Sequence, residues 1–396
     1  MVQLAPTLQL LKEPYIFPLI EQKLIEVRKT CPDRSILNFG VGDIALPLAS
    51  SLAEALSQAT REMTTMEGKR GYGPACGYSF LRQAVANHFF KECQLTEEEI
   101  FISDGINRDI TEMQELFSKD IEIGIIEPTY PAYFKVSKLS GRKNIHLLPC
   151  IESCDFLPQP PEDHCDLLYL CSPNNPTGVA MDRTTLQKWI DYARAHEALI
   201  LLDAAYAAFI TSPDVPKHIY ELDGAKECVI AFYSFSKSAG FTGLRCGFTV
   251  IPKALKVHDG IEKIPLGPLW EQRQEIKCNG IAYPIQRTAE AAMTPQGQKE
   301  TETQIASYRN CAHYLKQGLD RLGFSCWGGK DSPYIWWKTD GRSSWAFFEW
   351  LLERVGILSI PGTGFGTYGE GFVRLSTFQT EDCAKEAITR ISSLRE

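Results

Sequence analysis

Four short stretches of the chain are almost wholly apolar, and each stops at a polar or glycine-marked loop: Ile121 to Ile126, Leu167 to Cys171, Leu199 to Leu202 and Val229 to Tyr233. A strand with one face in water alternates apolar and polar residues, whereas a continuously apolar strand is covered on both faces. Helical patterns, such as Arg183 to His196, lie between these runs. Apolar strands alternating with helices predict an α/β fold with a mostly parallel, mixed sheet between helical layers. Ligands of such a sheet collect beyond the carboxyl ends of its strands. Tyr130, Asn175, Asp203, Tyr206, Lys237 and Arg245 all stand at or just past such ends.

The chain has 396 residues, long for one hydrophobic core and natural for a large and a small domain. Residues 1–45 are expected to form an arm that joins the small domain, 46–280 a large domain and 281–396 a small α+β domain. Within these, Leu19 to Lys29, Ser50 to Met63, Phe80 to Phe90 and Thr301 to Leu322 read as helices, with Ser50 or Ser51 capping the second. Further sheet strands are expected at Ile100–Ile102, Asn144–Leu148 and Cys246–Ile251, and small-domain strands at Tyr334–Lys338 and Gly371–Leu375.

Charged residues make up 23% of the chain and the net charge is -8, with no block of like charge. That pattern suggests neither a nucleic-acid footprint nor a polybasic membrane patch. No apolar run reaches the roughly 18 residues of a membrane span, and the first residues lack the basic and apolar regions of a signal peptide. The 13 cysteines are scattered, with no CxxC pair, and no HExxH occurs. Free thiols in the cytoplasm, with no metal site, are expected.

The chemistry concentrates in Ser234-Phe235-Ser236-Lys237-Ser238, followed by glycines at 240 and 243 and by Arg245, eight residues past the lysine. Lysine is the side chain that forms an imine with an aldehyde. Hydroxyls and a forked arginine suit a phosphate. Pyridoxal 5′-phosphate carries both groups. A strand, glycine turn and helix start at Gly105-Ile106-Asn107 offers backbone N–H groups to the same phosphate. Asp203 follows four apolar residues, and a buried carboxylate requires a partner; the protonated pyridine nitrogen would be one. Asn175 and Tyr206 are placed to hydrogen-bond the cofactor's phenolic oxygen, and Tyr130 to stack on its ring. Arg374, on the strand Phe372-Val373-Arg374-Leu375, suits a bidentate grip on an α-carboxylate. Each residue also has a plainer reading. The lysine loop is a surface turn, Asn175-Pro176 only a turn, Asp203 a helix cap, Arg374 a surface ion-pair partner and Tyr130 a core aromatic.

SPNNPTG at 172–178, DAAY at 203–206 and SFSKSAGFTGLRCG at 234–247 resemble the fold-type I pyridoxal-phosphate enzymes of aminotransferase class I/II. PYIFP at 14–18, LNFGVGD at 37–43, RGYGP at 70–74, IFISDG at 100–105, EPTYPAY at 127–133 and FVRLS at 372–376 resemble the LL-diaminopimelate aminotransferases within that class. The resemblance runs over essentially the whole chain. It implies a homodimer with shared active sites that moves an amino group between LL-diaminopimelate and 2-oxoglutarate. It also implies that Tyr72 reaches the cofactor phosphate of the other subunit and that Asn279 approaches the neighbouring site. Tyr15, Gly42, Tyr130, Asn175 and Arg374 would line the substrate pocket, while Tyr206, Ser234, Ser236, Lys237 and Arg245 match cofactor-binding positions. A non-catalytic scaffold of the same fold is disfavoured because Asp203, Tyr206, Lys237 and Arg245 are all present.

Three departures from the pattern cluster on substrate-facing loops. Ile106-Asn107 stands where the family has alanine and lysine, Ala75 where it has an acid, and Ile44-Ala45 where it has two threonines. Glu13 or Glu67 is a candidate replacement acid. A second reading therefore has the same lysine chemistry redirected to elimination or cyclisation of a basic, hydroxylated arginine-like amino acid.

Overall fold

All seven strands expected of the large sheet form it. The computed structural model describes residues 2–8 and 16–394. The strands are β1 (Ile100–Ser103), β2 (Ile123–Glu127), β3 (Ile145–Pro149), β4 (Leu167–Cys171), β5 (Leu199–Asp203), β6 (Val229–Ser234) and β7 (Gly247–Val250). Their order is β1-β7-β6-β5-β4-β2-β3. Only β7 runs against its neighbours. Its start, next to Arg245, therefore lies at the same edge as the ends of β4, β5 and β6. Every residue of β2, β4 and β5 is buried, as two-sided coverage requires.

A second, four-stranded antiparallel sheet is built from β8 (Cys326–Gly328), β9 (Tyr334–Lys338), β10 (Ile360–Pro361) and β11 (Phe372–Ser376) in the order β8-β9-β11-β10. Trp336 of β9 stacks on Phe372 of β11 with ring centres 5.2 Å apart. The helix Ser344–Val355 packs on this sheet, and the helices Pro295–Arg321 and Glu381–Ser392 pack on each other. Leu37–Asn38 pairs in parallel with Ile357–Leu358, which anchors the N-terminal segment beside the second sheet.

The sequence reading and the fold differ in places, each for a local reason. The long helix starts at Pro295, six residues before Thr301. Thr294 caps it by accepting the Gly297 N–H, and proline is well placed at a first helical position, where its missing N–H costs nothing. The apolar period followed in the sequence is silent in those polar first turns. Neither Ser50 nor Ser51 caps the helix Ser50–Glu62: its N-cap is Ala49, without a side-chain bond. Ser51 instead donates its N–H and hydroxyl to Glu300, at 3.0 and 2.7 Å, and so joins this helix to the long one. The first helix is Ile16–Thr30, so residues 16–18 of the PYIFP stretch form its opening turn. Helices Leu266–Lys277 and Tyr283–Ala291 were not anticipated; the second packs on Ser50–Glu62. Among the described residues, no helix is long and apolar enough to cross a membrane.

Candidate active site

Beyond the carboxyl ends of β4, β5 and β6 lies a cavity of about 390 Å³. Gly42, Ile106, Asn107, Tyr130, Asn175, Asp203, Tyr206, Ser234, Ser236, Lys237, Arg245 and Arg374 all line it. Twelve of the expected positions therefore meet, although they come from loops far apart in the chain. Tyr15 lies outside the described residues, as does Glu13. Tyr72 and Asn279 are exposed and do not line the cavity of their own chain. Tyr72 is 91% exposed. The two belong to one surface, since a Cβ at Gly280 would press on the backbone of Gly73 and Pro74.

Lys237 sits in a short helix after β6, and its side chain turns inward. The Nζ donates to the Gly42 carbonyl at 2.5 Å. Its pKa is lowered to about 8, chiefly by burial; Asp43 opposes the shift, and Arg374 and Arg245 add to it. A depressed lysine holds a usable fraction of free amine near neutrality, which is what imine formation needs. The surface-turn reading of this loop is thereby excluded.

Asp203 ends β5 and is buried. Its Oδ2 accepts from Tyr133 Oη and its Oδ1 accepts the Ala205 N–H at 2.9 Å. The second bond is the local role that a capping aspartate would have. Burial nonetheless raises its pKa, because these two donors do not fully replace water. Among the described residues it has no ion-pair partner, so a cationic pyridine nitrogen is the kind of group it can take.

The opposite wall suits a phosphate. Arg245 has φ +65° and directs its guanidinium at Gly105, where a Cβ would collide with Nη2. Gly105 itself has φ +125°, so only glycine gives the arginine this approach. Arg245 Nη1 donates to Ser236 Oγ at 3.1 Å. Behind the turn, Asp109 is 1% exposed and accepts the Thr249 hydroxyl at 2.7 Å. Burial lifts its pKa to about 6. A carboxyl whose folded pKa is raised stabilises the fold while protonated, and that advantage is lost as pH rises through the window from about 4 to about 6. Asp109→Asn removes the titration. Its stability relative to the parent protein is expected to rise by about 1 kcal/mol between about pH 5 and pH 7.5. Paired denaturant midpoints at the two pH values check this, and a constant difference would refute it.

Arg374 is buried, not a surface ion-pair partner. Its Nη1 donates to Asn175 Oδ1 and its Nη2 to the Gly40 carbonyl, both at 2.7 Å. Among the described residues, its buried Nε has no hydrogen-bond partner. Asn175 is thus more than a turn residue, and the aimed fork keeps N–H donors beyond the two that hold it. Tyr130 lines the cavity edge-on to Tyr133, 5.7 Å between ring centres. Sequence reasoning passed over Tyr133 and Tyr334. Tyr133 follows Tyr130 by three residues, but only Tyr133 stands in the helix Ala132–Leu139, whose N-cap is Pro131; Tyr334 carries no local signal.

A lysine amine, a lone buried carboxylate and an arginine–serine cradle around one cavity define a pyridoxal-phosphate site on an α/β sheet. The sequence profile of aminotransferase class I and II matches residues 34–391. The chain is 42% identical to an LL-diaminopimelate aminotransferase of Methanosphaera stadtmanae, over 97% of each chain. It is 40% identical to that of Prochlorococcus marinus, over 100% of each. The solved L,L-diaminopimelate aminotransferase of Chlamydomonas reinhardtii superposes with a TM-score of 0.94 at 37% identity, covering 100% of this chain and 99% of that one. The chain belongs to aminotransferase class I and II and is a pyridoxal-phosphate-dependent amino acid aminotransferase.

Proposed function

We propose that this enzyme transfers the α-amino group of LL-diaminopimelate to 2-oxoglutarate. The observation that carries the reading is the convergence of Lys237, Asp203, Arg245 and Arg374 on one cavity, in a chain whose full-length relatives bear that activity. The cofactor, when bound, supplies the electron sink that stabilises negative charge at the substrate α-carbon. Asp203 holds a proton on the pyridine nitrogen. Arg245, Ser234, Ser236 and the 105–107 turn bind the phosphate. Arg374 grips the α-carboxylate and so orients the α-hydrogen toward Lys237, whose Nζ removes it as the general base. Asn175 and Tyr206 would hydrogen-bond the cofactor's phenolic oxygen, and Tyr130 would stack on its ring.

The working unit in this reading is a homodimer in the cytoplasm, with Tyr72 and Asn279 completing the partner's site. Support comes from the shared surface of those two loops and from Met66 and Ile276, which are 82% and 79% exposed. Residues 46–280 serve as the cofactor-binding domain, with 1–45 and 281–396 as the smaller one. The distal end of the substrate meets altered chemistry. Asn107 lines the cavity without charge, and Ile44 packs against the Tyr206, Tyr308 and Tyr334 cluster. Glu67 is exposed and does not line the cavity.

The test supplies purified enzyme with LL-diaminopimelate and 2-oxoglutarate and follows glutamate by mass. Stoichiometric glutamate is expected. A cyclised or ammonia-releasing product from a basic amino acid, with no glutamate from LL-diaminopimelate, would overturn the proposal.

A further inference from the structure

Tyr334 stands at the junction of the two halves of the site. It opens β9 and is 1% exposed. Its hydroxyl lies 2.8 Å from that of Tyr206. Its ring lies under the Arg374 guanidinium, 4.5 Å from centroid to Cζ. A Cβ at Gly42 would come within 2.6 Å of its hydroxyl, so that hydroxyl faces the loop whose carbonyl holds Lys237. One side chain therefore touches the carboxylate-gripping arginine, the phenol that faces the cofactor and the loop beside the lysine.

The placement of Tyr334 is built from several sides. Asp331, three residues earlier, accepts the N–H and hydroxyl of both Thr211 and Ser212, at 2.6 to 3.1 Å. That locks the approach to β9 onto the segment that follows Tyr206. The Tyr334 N–H donates to Ser332 Oγ at 3.2 Å, and the Thr377 N–H to the Pro333 carbonyl at 2.8 Å. Gly178, with φ +69°, lets the SPNNPTG loop close on the Tyr334 carbonyl, where any Cβ would collide.

We propose that Tyr334 is a positioning residue that links the substrate arginine to the cofactor-facing phenol. Its hydroxyl donates to Tyr206 Oη, which leaves the Tyr206 proton directed into the cavity, toward the cofactor's phenolic oxygen. Its ring face holds the Arg374 guanidinium in plane by cation–π attraction. Tyr334→Phe keeps the second role and removes the first; Tyr334→Leu removes both. The inference rests on the placement of Tyr206 and Arg374 in the preceding section, and it is independent of which amino acid is the natural donor.

The experiment titrates the visible cofactor band of the holoenzyme without substrate, then measures kcat and KM for an amino donor that the parent enzyme turns over. With Tyr334→Phe, the pH midpoint of the band is expected to rise by about half a unit or more, because Tyr206 donates less firmly. A kcat fall of about three- to tenfold should accompany it, with KM within about twofold. With Tyr334→Leu, KM should also rise, by about three- to tenfold. In a Tyr206→Phe background, Tyr334→Phe should no longer move the midpoint. An unmoved midpoint in Tyr334→Phe, or an equal shift in both backgrounds, would overturn the proposal. Should Tyr334→Phe lose the cofactor, Tyr206→Phe alone decides: the linkage requires it to raise the midpoint, and an unchanged value refutes it. A parent enzyme that shows no visible band would instead refute the site assignment on which the inference stands.

Discussion

Lys237→Ala is expected to lower kcat by at least about 10⁴-fold, because one substitution removes both the covalent anchor and the general base. The fold should survive. Among the described residues Lys237 makes one hydrogen bond, to the Gly42 carbonyl, and its burial disfavours its own charge. Cofactor binding should weaken without vanishing, since the Asp203, Arg245 and Ser236 contacts do not depend on the lysine. Equilibrium dialysis and single-turnover kinetics separate the two effects. A residual kcat within tenfold of the parent would show that another group moves the proton.

Arg374→Lys is the second large effect. Lysine keeps the charge but loses the fork that reaches Asn175 and Gly40 while leaving a donor for the substrate. About 3 kcal/mol of charge-assisted hydrogen bonding to the α-carboxylate should disappear, which is roughly a 10²-fold fall in kcat/KM. The visible cofactor band should persist, because Arg374 does not belong to the phosphate cradle. An amine that lacks the α-carboxylate is the control: its slow turnover should barely change. Equal losses for both substrates would place Arg374 in the scaffold and not in the grip.

The two substitutions probe opposite halves of the molecule, and the halves differed in how plainly they could be read. The large sheet was legible because each of its central strands is apolar on both faces, which leaves little choice but burial between helices. The motif loops were legible for a related reason. Asp203 ends β5 and Lys237 follows β6 by three residues, so finding those strands located the chemistry. Helix starts were less visible. Thr294-Pro295 begins a helix through capping, while Ser50 and Ser51 look like caps and are not, because Glu300 competes for Ser51.

By itself, the sequence determined the sheet, the edge at which the cavity opens, and twelve of the residues that line it, since all of these depend on local pattern and strand order. Only the tertiary structure decided the partnerships between distant residues. Tyr133 reaches Asp203 across 70 residues, Tyr206 meets Tyr334 across 128, and Arg374 meets Asn175 across 199. Such contacts leave no periodic trace, because they arise where two separately built sheets close on one cavity. It also decided that Tyr72 and Asn279 face outward together, through the close approach of Gly280 to the 73–74 backbone. Local pattern dictates which faces a chain must bury; which buried groups then touch is set by how the layers dock.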